Sequence, residues 1–153
     1  PKAILATPGE YDAFLTKQDP AFTVEELEEA MQKVMDQYAG GIGTHYQFNE
    51  KQLAMAEEKI KKLQILAKGL AAADMHELMF IYELKERLTV CLTVIAHLRA
   101  RKETRWHSFA ENLDYPEKSD AWLCYVNSKK NGDQITMIRR DLVKGGETYE
   151  HRD

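Results

Sequence analysis

The run from Met75 to Pro116, MHELMFIYELKERLTVCLTVIAHLRARKETRWHSFAENLDYP, constrains the fold more than any other part of the chain. Ile81, Leu84, Leu88, Cys91, Ile95 and Leu98 recur at steps of three and four, which puts them on one face of an α-helix. Phe80, Val90, Leu92 and Val94 widen that stripe, so the spacing predicts a helix buried on more than one side. Asp74 is placed to cap it, with Glu77 at the capping-box position. The periodicity stops after Thr104 in a charged, aromatic-rich segment, KETRWHSF. Any fold of this chain must therefore bury a long apolar helix and then accommodate an irregular segment at its end.

Two more helical stripes precede it. Thr23 caps the first, Glu26 completes a capping box, and Phe22 and Leu27 are placed as a hydrophobic staple. Val24, Leu27, Met31, Val34 and Tyr38 then share one face, and Gly40 and Gly41 end the helix. After the loop IGTHYQF, Asn49 caps a second helix on which Leu53, Ala56, Ile60, Leu63, Ala67 and Leu70 line up. Glu57, Glu58, Lys61 and Lys62 occupy its opposite face and should meet water. Residues 1–22 carry Pro8, Gly9 and Pro20 without a period and read as an extended lead-in segment. Downstream, Trp106, Phe109, Tyr115 and Pro116 mark an irregular packed segment. Trp122, Cys124 and Val126 then alternate with Leu123 and Tyr125; Asn131-Gly132 signals a turn; Ile135, Met137 and Ile138 form a second strand candidate. The expectation is a mainly α fold: a three-helix antiparallel bundle over residues 23–104, then the aromatic segment and a C-terminal β-hairpin over 105–143 packed on it. Residues 144–153, KGGETYEHRD, have little to bury and are expected to form a disordered tail.

Composition narrows the function classes. At 153 residues with 44% hydrophobic content, the chain is one domain able to bury a core without disulfides or metals. A net charge of -4 argues against a nucleic-acid partner. The one basic cluster, His97 to Arg105, sits where a helix C-terminus favours cations. Cys91 and Cys124 fall in different elements among apolar neighbours and read as buried reduced thiols of a cytoplasmic chain. Membrane insertion is not expected, because Glu83, Lys85, Glu86 and Arg87 interrupt the richest apolar stretch. The start, PKAILATPGEYDAF, lacks the apolar core of a signal peptide. Pro1 is compatible with a trimmed initiator Met and equally with a cut inside a longer protein.

No motif assigns catalysis. Gly40, Gly41 and Gly43 do not match GxGxxG and follow a helix instead of a strand, so they read as a helix end and loop. His45, His76, His97, His107 and His151 do not pair at ligand spacing, and there is no CxxC, so no metal site is expected. Glu83 has Arg87 four residues on as an ion-pair partner. The segment Glu103-Thr104-Arg105-Trp106-His107 is different. Its residue types could bind an anion or move protons, but an Arg beside a Trp is also the make-up of a protein–protein hot spot. Glu103, Arg105, Trp106, His107 and Phe109 are therefore candidates for docking against another domain. In that reading Arg105 holds a carboxylate or backbone carbonyls and Trp106 fills a pocket; in the plainer one, both close the end of the bundle. An uncovered apolar surface here could also pair two copies of the chain.

The strings HELMFIYELKERLTV, RKETRW and AWLCYVNSKK, in this order, resemble the C-terminal domain of flavoprotein subunits of the fumarate reductase/succinate dehydrogenase family. Glu83-Leu84, Glu103-Thr104-Arg105 and Asp114-Tyr115-Pro116 carry the likeness over about Val24 to Val143. Trp106 after the Arg, where fumarate reductases continue Gly-Ala-His, and the string from Val126 to Lys129 are more similar to the adenylylsulfate reductase alpha subunit. Asn112 departs from that subfamily, which has an Arg in this region. The resemblance implies a parent enzyme that binds FAD in an upstream flavin domain and takes electrons from an iron–sulfur subunit. It implies no cofactor and no catalytic residue within these 153 residues, because the family's FAD- and substrate-binding residues lie mainly upstream. A free-standing helical interaction module is the reading from a different class.

Overall fold

The computed structural model describes residues 8–132 and 134–143. The fold is mainly α, with four helices followed by an antiparallel hairpin. The helices are α1 (Pro8–Leu15), α2 (Val24–Tyr38), α3 (Glu50–Ala67) and α4 (Met75–Ala100). The strands are β1 (Gln47–Phe48), β2 (Glu111–Asn112), β3 (Cys124–Asn131) and β4 (Gln134–Asp141).

Helix starts follow local chemistry. Thr23 accepts from the Glu26 amide while the Glu26 carboxylate takes the Thr23 amide, and Asn49 and Gln52 exchange the same pair of bonds. Asp74 accepts from the Glu77 amide, but the Glu77 carboxylate reaches past the cap to the Ala73 amide. At the end of α2, Gly40 takes φ 75, where an added Cβ would press on the Phe48 ring and the Tyr46 carbonyl. Phe22, expected as a staple, is 40% exposed.

The core is one cluster in which α2, α3 and α4 meet. Leu27 and Met31 enter it from α2, Leu53, Ala56, Ile60 and Leu63 from α3, and Ile81, Leu84, Leu88 and Ile95 from α4. Two expectations are corrected. Residues 8–15 of the expected extended lead-in are helical, so the described residues hold a fourth α-helix before the three expected. Proline suits a first helical position, where its missing amide hydrogen would have no partner anyway. Phe14 then closes the core from α1, the Phe14 carbonyl takes the Ala72 amide, and Lys85 pairs with Glu10. The second correction is that the widened stripe of α4 is only partly covered: Leu92 is half-buried against the core, but Phe80, Val90 and Val94 are exposed. The expected tail at 144–153, and residues 1–7 of the lead-in, lie outside the described residues.

The hairpin pairs Cys124 with Asp141 at its open end and Asn131 with Gln134 at its closed end. Its strands meet α4, and Cys124, Val126, Ile135 and Met137 are its half-buried positions. Trp122, expected in the first strand, sits in a 3-10 turn just before it (Asp120–Trp122). Cys91 and Cys124 are free thiols and half-buried, less enclosed than expected.

Candidate docking surface

Helix α4 ends at Ala100, and Arg101 follows it in an extended conformation. Glu103 and Thr104, both polar, are 4% and 1% exposed. Burying a carboxylate is unfavourable unless it is paired and hydrogen-bonded. Here the Arg105 Nε and Nη2 donate to Glu103 at 2.9 and 2.8 Å, the Ser119 amide donates at 3.0 Å, and Arg101 donates as well. Burial pushes the Glu103 carboxyl up, but the bonds from Arg105, the Ser119 backbone and Arg101 outweigh it and hold it down at about 2. Arg101 also donates to the Trp122 and Cys124 carbonyls, and Arg105 to the Ser119 carbonyl. One carboxylate thus ties the end of α4 to the start of the hairpin.

Thr104 does the same with its hydroxyl. It donates to the Tyr115 carbonyl at 2.8 Å and accepts from the Asn112 amide at 3.0 Å. This closes residues 104–112 into a loop, tightened inside by the Trp106–Ala110 bridge and by the Phe109 amide on the Trp106 carbonyl. The far side of the loop is held by β2, which runs parallel to β1 through Glu111 N to Tyr46 O and Leu113 N to Phe48 O. Asp114 adds a bond to the Glu50 amide at the start of α3. None of these long-range bonds has a short sequence signature.

The five docking candidates therefore divide. Glu103 and Arg105 face inward: the carboxylate that Arg105 holds belongs to its own chain. Trp106 is 69% exposed and Phe109 76%. His107 is exposed between them, 3.4 Å from Glu111, whose carboxyl is held down by Gln47 and His107. Trp106 and Phe109 thus present large apolar rings on a backbone fixed from below, which leaves that backbone little conformational entropy to lose on contact. Trp106 also borders a concavity of about 320 Å³ with Arg101, Arg105, Trp122, Leu123 and Tyr125.

The glycine turn does not fit a dinucleotide phosphate. The Gly43 amide is taken by the Asp36 carboxylate at 2.9 Å, and a Cβ on Gly41 would lie 2.3 Å from the Asp36 Cα. The starts of α2, α3 and α4 are likewise occupied by their own caps. Among the described residues no helix is long and apolar enough to cross a membrane.

Comparison with known proteins gives a consistent set of likenesses. Residues 28–147 match the family model described as fumarate reductase flavoprotein C-term. The adenylylsulfate reductase alpha subunit of Megalodesulfovibrio gigas is 34% identical over 98 residues, which is 63% of this chain and 15% of that one. The solved adenylylsulfate reductase of Archaeoglobus fulgidus superposes with a TM-score of 0.79 at 35% identity, over 88% of this chain and 21% of that chain. An adenosine-5-phosphosulfate reductase in complex with sulfite gives 0.80 at 34% identity, over 93% and 24%. The quinol fumarate reductase FrdA of E. coli gives 0.74 at 18% identity, over 93% and 25%, a likeness of fold alone. The chain spans a quarter or less of the length of these relatives.

Proposed function

Because the chain belongs to the fumarate reductase flavoprotein C-terminal family, we propose that it is the helical docking domain of an FAD-dependent oxidoreductase subunit and not its redox centre. The parent is of the adenylylsulfate reductase kind, reducing adenylylsulfate to sulfite and AMP in the cytoplasm, with electrons supplied by an iron–sulfur subunit. Identity of 34–35% to adenylylsulfate reductases against 18% to the fumarate reductase favours this parent over fumarate reductase or succinate dehydrogenase chemistry. In this reading the bundle, the aromatic segment and the hairpin act as one body against an upstream flavin domain. The observation that carries it is the loop of Trp106 and Phe109, exposed on top and rooted in the buried Glu103 and Thr104 below. Arg105 supports the loop from inside, and Trp106 and Phe109 make the contact.

The test uses the polypeptide that the gene encodes. Trp106→Ala with Phe109→Ala should strip flavin absorbance from the purified longer protein while the melting of the 153-residue chain stays put. Undiminished flavin retention would remove the docking role. Saturable FAD binding by the 153-residue chain alone, measured by calorimetry, would overturn the reading at its base. A reading frame without an upstream dinucleotide-binding motif would leave the free-standing interaction module.

A further inference from the structure

The outer side of α4 is uncovered among the described residues, yet it carries large apolar side chains toward both of its ends. Met79, Glu83, Glu86, Val90, Val94 and His97 recur at steps of three and four, behind the stripe that enters the core. Met79 is 48% exposed, Val90 60% and Val94 41%, with Met75 and Phe80 beside them at 66% and 40%. Single exposed apolar residues are ordinary, but here they gather in two groups, Met75, Met79 and Phe80 before Glu83 and Glu86, and Val90 and Val94 after them. Grouped apolar side chains of this size on one helix face, with charges between them, are the make-up of a contact surface.

We infer that this side of α4 is a second interface, covered by the preceding domain of the same polypeptide. The inference rests on the docking reading above and extends it to a helix face outside the 103–109 segment. Two observations choose the occupant. The chain spans 21% and 24% of the solved adenylylsulfate reductase chains, so most of each relative's polypeptide lies outside the matched part and is available as cover. The face also runs into the aromatic loop, because His97 at its end lines one concavity with Trp106. A body seated on the loop therefore reaches the helix. Charge disfavours a second copy of the chain. Glu83 and Glu86 sit in the middle of the face, and a symmetric pair centred there brings acids together. Arg87 pairs with Glu83 as well as with Glu28, so Glu86 is the acid that such a pair would set against its own copy.

Thiol protection tests this. Val90→Cys and Phe109→Cys are made separately in the gene-encoded polypeptide and in the 153-residue chain. Each is treated with N-ethylmaleimide, and modification is read site by site by mass spectrometry, so Cys91 and Cys124 do not interfere. The expected result is fast modification at position 90 in the 153-residue chain and at least about ten-fold slower modification in the longer polypeptide. Equal rates at position 90, with position 109 protected, would overturn this second interface and leave the loop docking standing. Equal rates at both positions would overturn both. Protection at position 90 that grows with concentration of the 153-residue chain would make the occupant a second copy and sink the inference. So would a reading frame with no preceding domain.

Discussion

The inner side of α4 and the polar residues Glu103, Thr104 and Asn112 of the segment that follows it are both buried, but different forces hold them. Leu84 and Leu88 lie at 0% exposure among other side chains of the core, where apolar burial stabilises at roughly 25 cal/mol per Å² and needs no direction. Glu103 and Thr104 are buried almost as deeply, but each is satisfied by bonds whose partners lie up to sixteen residues away. An apolar core tolerates approximate fits and loses stability in proportion to lost contact. A buried polar clamp depends on every partner being present, because an unpaired group inside is heavily penalised. The bundle therefore supplies the bulk of the stability, and the clamp supplies the geometry of the loop that carries Trp106 and Phe109.

Breaking the apolar side should have the largest effect. Leu88→Ala removes a fully buried side chain at the centre of α4 and is expected to destabilise by about 3–5 kcal/mol in denaturant melts. A loss below about 0.5 kcal/mol would mean that α4 is not the central helix.

The clamp should respond next, and its response depends on pH. Glu103 is held at about 2 against an ordinary 4.5, a difference worth roughly 3 kcal/mol to the ionised, folded state. Its folded value lies below its unfolded one, so this contribution is complete above about pH 4.5. It declines as pH falls toward 2 and is gone below that. Glu103→Gln should be less stable than the parent by about that amount at pH 7 and should converge with it as pH approaches 2. Parallel stability curves from pH 6 to pH 2 would show that the acid sensitivity of the fold comes from other carboxylates.

The two regions also differ in how plainly the sequence announces them. The stripes of α2, α3 and α4 and the caps at Thr23, Asn49 and Asp74 were legible because helix periodicity and capping are local, acting within four residues. The hairpin was legible from its alternation, though pairing of Asn131 with Gln134 puts the turn one residue beyond the Asn-Gly signal. Helix α1 was missed because Pro8 and Gly9 look like breakers, and because its eight residues are too few to show a period. The clamp was half legible. Glu103, Thr104 and Arg105 stood out by type, but nothing local shows that Arg105 turns inward. Its orientation is set by Glu103 and the Ser119 carbonyl, and Ser119 lies fourteen residues away. The β1–β2 pairing joins residues sixty-four apart and has no sequence signal of its own. The exposure of Val90 and Val94 was unforeseen for another reason: apolar residues beside a core stripe read as buried, and the described residues do not cover these two.

The smallest expected effect sharpens the comparison most, because it separates what builds the loop from what the loop presents. Trp106 is 69% exposed and its side chain makes none of the bonds that close residues 104–112. Its backbone carbonyl takes the Phe109 and Ala110 amides, and Ala preserves that carbonyl. Trp106→Ala should therefore move the stability of the 153-residue chain by no more than about 0.5 kcal/mol, against roughly 3 kcal/mol for Glu103→Gln three residues away. Denaturant midpoints for the two variants, measured side by side at pH 7, check this directly. A Trp106→Ala loss approaching that of Glu103→Gln would mean that the indole closes the end of the bundle and is part of the internal clamp. A loss near zero would leave a large aromatic side chain with no structural duty in its own domain, which is what a contact residue for another body should look like.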